Sequence, residues 1–315
     1  MVNKNQSVYL LSSAGRRVEL CSLLKKNGTV VSVDAHPFVP SRESSDFFRL
    51  VPRLDDEEFI DVVVGICEEF GVDFIIPTID TELKIYSVNK ERFSAIGIDV
   101  WVSASEAVRL AADKYEFARW LETQGLPFIP TQLLEDLDKG VETFPCFVKP
   151  RWGSSSQGAS QVDSIAELAL FSGPQEMVVQ PLVEGTEFTI DFAVNQYSEL
   201  VGISCRERLR VRDGEVVTAA TRNIPELEDL VVFVVESLPG LYGLLNLQVI
   251  LSGERFRILE MNARVGGGYP LSAAAGCNLF EAMLEGPGQK TVRPEFDVVM
   301  LRHDSSFFVR ERDWG

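Results

Sequence analysis

LLNLQVILSGERFRILEMNARVGGG, residues 244–268, reads as two β-strands joined at Ser252-Gly253-Glu254. Side chains alternate faces along a strand, so Glu260 and Asn262 point the same way. With a three-residue loop, Gln248 falls opposite Ile258, on the face of Glu260 and diagonal to it. A carboxylate and two amide oxygens on one face make a hard-oxygen set suited to Mg²⁺ or Mn²⁺, with water and phosphate oxygens as the remaining ligands. Arg264 continues the same parity and is spaced to reach a phosphate. Apolar Phe256 and Ile258 share that parity and a Gly266-Gly267-Gly268 run follows, neither of which suits a hairpin that merely faces solvent.

Upstream of this hairpin, strands are expected over 146–149, 177–180, 187–195, 199–211 and 215–221, with helices only near 164–171, 226–237 and 271–284. Long strands in succession with short turns imply antiparallel sheets and an α+β second half. The rhythm of residues 8–105 differs. Strands at 8–11, 29–33, 74–76 and 100–102 alternate with helices near 16–26 and 57–70, the pattern of a parallel α/β sheet with crossover helices. Between the halves, Ser103 with Glu106 and Asp113 with Glu116 fit capping boxes, and a helix over 114–124 ends at Gly125. The expected division is 1–105 and 106–315, the latter with a smaller part at about 127–184 and a larger part at about 185–315.

Two further segments are spaced for nucleotide chemistry. In FVKPRWGSSSQGAS, residues 147–160, a strand delivers Lys149 to a loop holding Gly153, Ser154, Ser155, Ser156 and Gly158. Small residues let backbone N–H groups surround phosphate oxygens, and a lysine supplies compact positive charge; a flexible surface hairpin fits the same residues equally well. In VVQPLVEGTEFTIDF, residues 178–192, extended backbone at a proline hinge can offer an N–H and a C=O to the edge of adenine. Val179 and Leu182 lie beside it, and Glu187 can accept from ribose hydroxyls; an interdomain turn is the alternative. Arg206, Arg208, Arg210 and Arg212 form a stripe of one parity, fit either for a carboxylate or phosphate or for pairing with surface acids.

Composition narrows the classes. Thirty Lys+Arg against 47 Asp+Glu give a net charge of -17, which repels nucleic acid. Five scattered cysteines and two histidines supply no zinc ligand set and point to reduced, buried thiols. No apolar run matches a secretory leader or a membrane span, so a cytoplasmic location is expected. SSAGRR with Asp34 offers one of the three glycines that a dinucleotide fingerprint needs.

Taken in order, the segments from about 105 to 280 resemble the ATP-grasp superfamily, most closely the ATP-binding half of the carbamoyl phosphate synthase large chain. The preceding unit resembles the pre-ATP-grasp domain. Gln248 followed by Glu260-Met-Asn262-Ala-Arg264 is similar to the family's Gln, then Glu-x-Asn-Pro-Arg, with Ala263 in place of proline. The resemblance implies that Gln248, Glu260 and Asn262 bind magnesium and that Arg264 contacts phosphates. It implies that Lys114 and Lys149 contact the nucleotide, that loop 153–158 is the glycine-rich flap, that Gln180 and Leu182 form the adenine hinge, and that Glu187 is the acidic position beside it. Gln180 departs from the glutamate usual there. ATP and Mg²⁺ are the implied cofactors. The implied reaction activates a small carboxylate as an acyl-phosphate for capture by an amine, with Arg264 and Lys149 as its catalytic residues and a homodimer left open. Its substrate is expected near Gly15-Arg16, Thr78, Asp80, Glu82 and the arginine stripe. A nucleotide-binding subunit without turnover is the alternative.

Overall fold

The computed structural model describes residues 6–137, 144–153, 158–212 and 214–310. It divides into two compact units, one running to Val102 and including the residues from Leu301 onward, the other Ser103–Met300.

The first unit is a parallel sheet of five strands: β1 (Ser7–Ser12), β2 (Gly28–Asp34), β3 (Phe47–Leu50), β4 (Phe74–Pro77) and β5 (Asp99–Val100), in the order β3-β2-β1-β4-β5. Central β1 is buried from Val8 to Ser12, as expected of a parallel strand covered on both faces. The helix Phe59–Phe70 buries Phe59, Val63, Ile66 and Phe70 on one stripe, as their spacing requires. The first helix is shorter than expected, Val18–Leu24. Strand β3 and the helix Asp80–Val88 went unread in the sequence.

The second unit holds two antiparallel sheets. The smaller comprises β6 (Gln132–Leu133), β7 (Cys146–Pro150), β8 (Ser160–Val162) and β9 (Met177–Pro181), ordered β6-β9-β7-β8. Its core is Cys146, Val148, Val162, Leu168, Met177 and Val179. The larger comprises β10 (Thr186–Val194), β11 (Leu200–Arg212), β12 (Glu215–Arg222), β13 (Gly243–Ser252), β14 (Arg255–Asn262) and β15 (Val299–Leu301), ordered β14-β13-β10-β11-β12-β15. Helices Pro225–Ser237 and Leu279–Leu284 pack on β10 and β11.

Two of three local expectations are corrected. Ser103 does not cap the next helix: Ala104 stands at the N-cap without a side-chain bond, while Ser103 Oγ bonds the backbone N–H and C=O of Tyr242. Asp113 does cap its helix, accepting from the N–H groups of Tyr115 and Glu116. The span 271–284 is two helices, Tyr269–Ala274 and Leu279–Leu284, separated at Gly276, whose φ of 93° is foreign to a helix.

The register of the hairpin is also different. Ser252 pairs with Arg255, so the loop has an even number of residues and, left uncorrected, would turn Glu260 away from Gln248. A bulge between the Val249–Ile258 and Gln248–Glu260 pairs restores the match, and Gln248 lies directly opposite Glu260 rather than diagonal to it. The bulge sends Phe256 and Ile258 to the other face, where Phe256 meets the Phe188 ring edge-on at 6.1 Å.

Candidate functional site

One row of the large sheet carries Glu260, Gln248, Thr189 and Arg206 side by side across β14, β13, β10 and β11. Residues paired directly across strands share a face, so this row is a polar strip on the face opposite Phe256. The row on one side of it holds Glu187 and Ile250; the row on the other side holds Asp191, Asn246 and Asn262.

Lys149, at the end of β7, approaches this strip from the small sheet. It is 6% exposed, and its Nζ lies 4.0 Å from Glu260 Oε2. Burial pulls its pKa below the ordinary lysine value; Glu260 and Glu187 oppose the shift and Lys114 adds to it. Lys114 opens the helix Lys114–Thr123 and donates to the carbonyl of Gly153 at 2.6 Å. Its placement depends on a residue the sequence reading passed over. Arg151 grips the capping carboxylate of Asp113 through Nε at 2.8 Å and Nη2 at 2.6 Å, and its carbonyl accepts from the N–H of Lys114. That bidentate pair ties the end of β7 to the helix N-terminus, so both lysines are held at the same rim.

A cavity of about 200 Å³ is lined by Lys114, Lys149, Gly153, Gln180, Leu182, Glu187, Gln248 and Glu260, all of them expected from the sequence. Arg208 lines it too. Its Nε sits 3.1 Å from Glu187 Oε2, outside hydrogen-bond alignment, and Nη2 donates to Gly214. Thus the expected ribose-binding carboxylate already faces a cation from the neighbouring strand. The arginine stripe is divided rather than continuous: β11 shifts register after Arg208, leaving Arg210 and Arg212 exposed while Arg206 is buried.

Asn262 and Arg264 are not among the residues that line the cavity. Asn262 donates Nδ2 to Asn246 Oδ1, which directs its own oxygen to Arg264 Nη2 at 3.5 Å. Arg264 also donates Nη1 to the Val265 carbonyl. At the hinge, Gln180 donates to Thr131 Oγ1, and the Leu182 N–H goes to the Pro145 carbonyl rather than into the cavity. Gly158 packs on Pro150, and Ser154, Ser155 and Ser156 lie outside the described residues.

The donor set fits a magnesium-bound polyphosphate. Among the described residues no three His, Cys, Asp or Glu side chains gather as a metal cage. One carboxylate with amide oxygens is a sparse set that leaves most of an octahedral sphere to phosphate and water oxygens.

Two candidates in the first unit are scaffold. Glu82 is fully buried, and its carboxylate accepts from Ser12 Oγ, Ser13 Oγ and the N–H groups of Thr78 and Ile79. Burial raises its pKa, against those hydrogen bonds. Thr78 Oγ1 is spent on the carbonyls of Ser12 and Ser13. Asp34, the acidic end of the partial dinucleotide motif, accepts from the N–H groups of Gly15 and His36 instead of facing a ribose. All five cysteines are buried and unpaired with one another, and burial pushes the Cys67, Cys205 and Cys277 thiols up to about 12, so none is a ready nucleophile. Among the described residues no helix is long and apolar enough to cross a membrane.

Comparison with known proteins gives matches along both units. Residues 9–101 match the PylC-like N-terminal domain, and residues 111–268, half of the chain, match the ATP-grasp domain. A formate-dependent phosphoribosylglycinamide formyltransferase of Mycolicibacterium gilvum is 27% identical over 56% of this chain and 46% of its own. The carbamoyl phosphate synthase large chain of Clostridium acetobutylicum is 23% identical over 86% of this chain and 27% of its own. The chain spans about half the length of the formyltransferases it matches. The fold is shared with N5-carboxyaminoimidazole synthetase from Staphylococcus aureus, solved with ADP: TM-score 0.74 at 16% identity, over 94% of this chain and 82% of that one.

Proposed function

This chain belongs to the ATP-grasp family, and on that premise we propose that it is an ATP-dependent ligase that activates a small carboxylate as an acyl-phosphate for attack by an amine. The observation that carries the proposal is the meeting of Lys149, Glu260 and Gln248 at one cavity wall, with Lys114 on the same rim. Similarity to an enzyme named for formate-dependent formyl transfer to a glycinamide supports a carboxylate and a nitrogen acceptor as the substrate pair.

Phosphoryl transfer asks a protein mainly for positioning and charge neutralisation. Lys149 and Lys114 bind phosphate oxygens, and the low exposure of Lys149 strengthens that contact because little water competes for it. Glu260, Gln248 and Asn262 would hold Mg²⁺, which when bound would supply positive charge against the phosphates. Gln180 and Leu182 border the base, with Glu187 at the ribose. Arg264 steadies the phosphoryl group as it passes from ATP to the substrate carboxylate, and the amine then displaces phosphate from the acyl carbon. The small sheet and the loop 153–158, within about 127–184, act as the lid that keeps water from the acyl-phosphate.

The test is ADP release with Mg-ATP against pooled amino acids and small carboxylic acids. A positive pool that loses its signal in Glu260→Gln supports the reaction class. Tight ATP binding with no ADP release in any pool identifies a subunit without turnover, and activity undiminished in Glu260→Gln removes the site.

A further inference from the structure

On the same sheet face as Gln248 and Glu260 lies a buried charge pair that the proposed reaction does not use. Arg206 is 1% exposed and grips Asp191 through Nε at 2.6 Å and Nη2 at 2.9 Å. Asp191 also accepts from Ser272 Oγ at 2.6 Å, in the helix Tyr269–Ala274. The turn leading from Arg264 into that helix is moulded on this pair. A Cβ on Gly266 would stand 3.0 Å from Asp191 Oδ1, and one on Gly268 would overlap Arg206 Nη1. Those contacts account for Gly266 and Gly268, two glycines of the run that the hairpin alone left unexplained. Asn246, directly opposite Asp191, donates to the carbonyl of Arg264 at 3.0 Å and accepts from Asn262.

A buried ion pair contributes little net stability, because desolvation offsets the attraction between its charges. Its use here is geometric. Among the described residues Arg206 Nη1 has no hydrogen-bond partner, a cost with no return in stability. We propose that Arg206 and Asp191 are positioning residues: together they form a rigid floor under the 265–268 turn that fixes the backbone of Arg264. The inference rests on the role given above to Arg264, contact with the phosphoryl group that distinguishes ATP from ADP.

The experiment compares Mg-ATP with Mg-ADP binding by calorimetry, in wild type, Arg264→Gln, the apolar pair Arg206→Met with Asp191→Leu, and the combination. Exchanging both charges together leaves no lone buried ion, so the fold is expected to survive. Gly268→Ala, which keeps the pair but crowds Nη1, serves as an independent perturbation. Positioning predicts that ATP affinity falls about 10- to 100-fold in the apolar pair, the size of a lost charged hydrogen bond. ADP affinity stays within about twofold, and adding Arg264→Gln to the pair costs nothing more, because one interaction is lost only once. Gly268→Ala moves ATP affinity the same way. Equal losses for ATP and ADP, or additive losses in the combination, overturn the inference and leave the site's function standing. Wild type that binds neither nucleotide sinks that function as well. An Arg264→Gln variant with unaltered ATP preference removes the role of Arg264 and the inference together.

Discussion

Each unit of this protein gathers a dense polar cluster at strand ends or on a sheet face, and the two are built oppositely. In the first unit Glu82, Ser12, Ser13, Thr78 and Tyr86 close on one another: four donors meet one carboxylate, Tyr86 donates to Ser12, and Thr78 is spent on carbonyls. In the second unit Lys149 is almost as buried yet stands 4.0 Å from its carboxylate, at the wall of a cavity that Lys114, Gln248 and Arg208 also line. Burial alone therefore does not mark a site. A cluster whose hydrogen bonds are complete holds the fold; one whose charges remain directed into open space is fit to receive a ligand.

Exchanging residues in the two clusters separates these roles. The largest effect is expected for Lys149→Ala, which should weaken Mg-ATP binding by at least about 100-fold with little change in urea stability. The same lysine sets a pH dependence. Its pKa is depressed in the protein, so above that value it is neutral in the free protein, and binding a polyphosphate must restore the proton. Affinity should then fall by up to about tenfold per pH unit on the alkaline side, beginning below the ordinary lysine pKa. Lys149→Arg, which stays charged, should abolish that slope; a slope retained in Lys149→Arg would assign it to another group. Glu82→Gln should do the reverse of Lys149→Ala, lowering unfolding stability by about 1–3 kcal/mol in a urea titration while nucleotide affinity holds. Exposed Arg210→Ala should change either quantity by no more than about 0.5 kcal/mol. A large nucleotide effect at Glu82 or at Arg210 would blur the contrast between the clusters.

Strand spans and sheet type were legible in the second unit, as in the hairpin, read as 244–251 and 255–262 and found at 243–252 and 255–262. The chemistry of the site was legible where single residue types carry it: a lysine ending a buried strand, or a glutamate and an asparagine of one parity. Register was not. The bulge beside Gln248 has no glycine or proline to announce it, and only the pairing partners reveal that an even loop and an extra residue cancel. Long-range partners were equally hidden. Nothing near Ser103 points to Tyr242, nor anything near Arg208 to Glu187, and the Arg151–Asp113 grip spans separate elements. The glycines at 266 and 268 were visible, but their reason, the buried Arg206–Asp191 pair, lies on strands remote in sequence.

The central claim is that Glu260 and Gln248, paired across two strands and facing Lys149, hold a divalent ion on a bound polyphosphate. Electron paramagnetic resonance of Mn²⁺ titrated into the protein with saturating ADP tests it most directly. Wild type should immobilise Mn²⁺ only when nucleotide is present, and Glu260→Gln with Gln248→Ala should lose that signal while keeping the fold. Undiminished Mn²⁺ binding in the double variant would contradict the assignment.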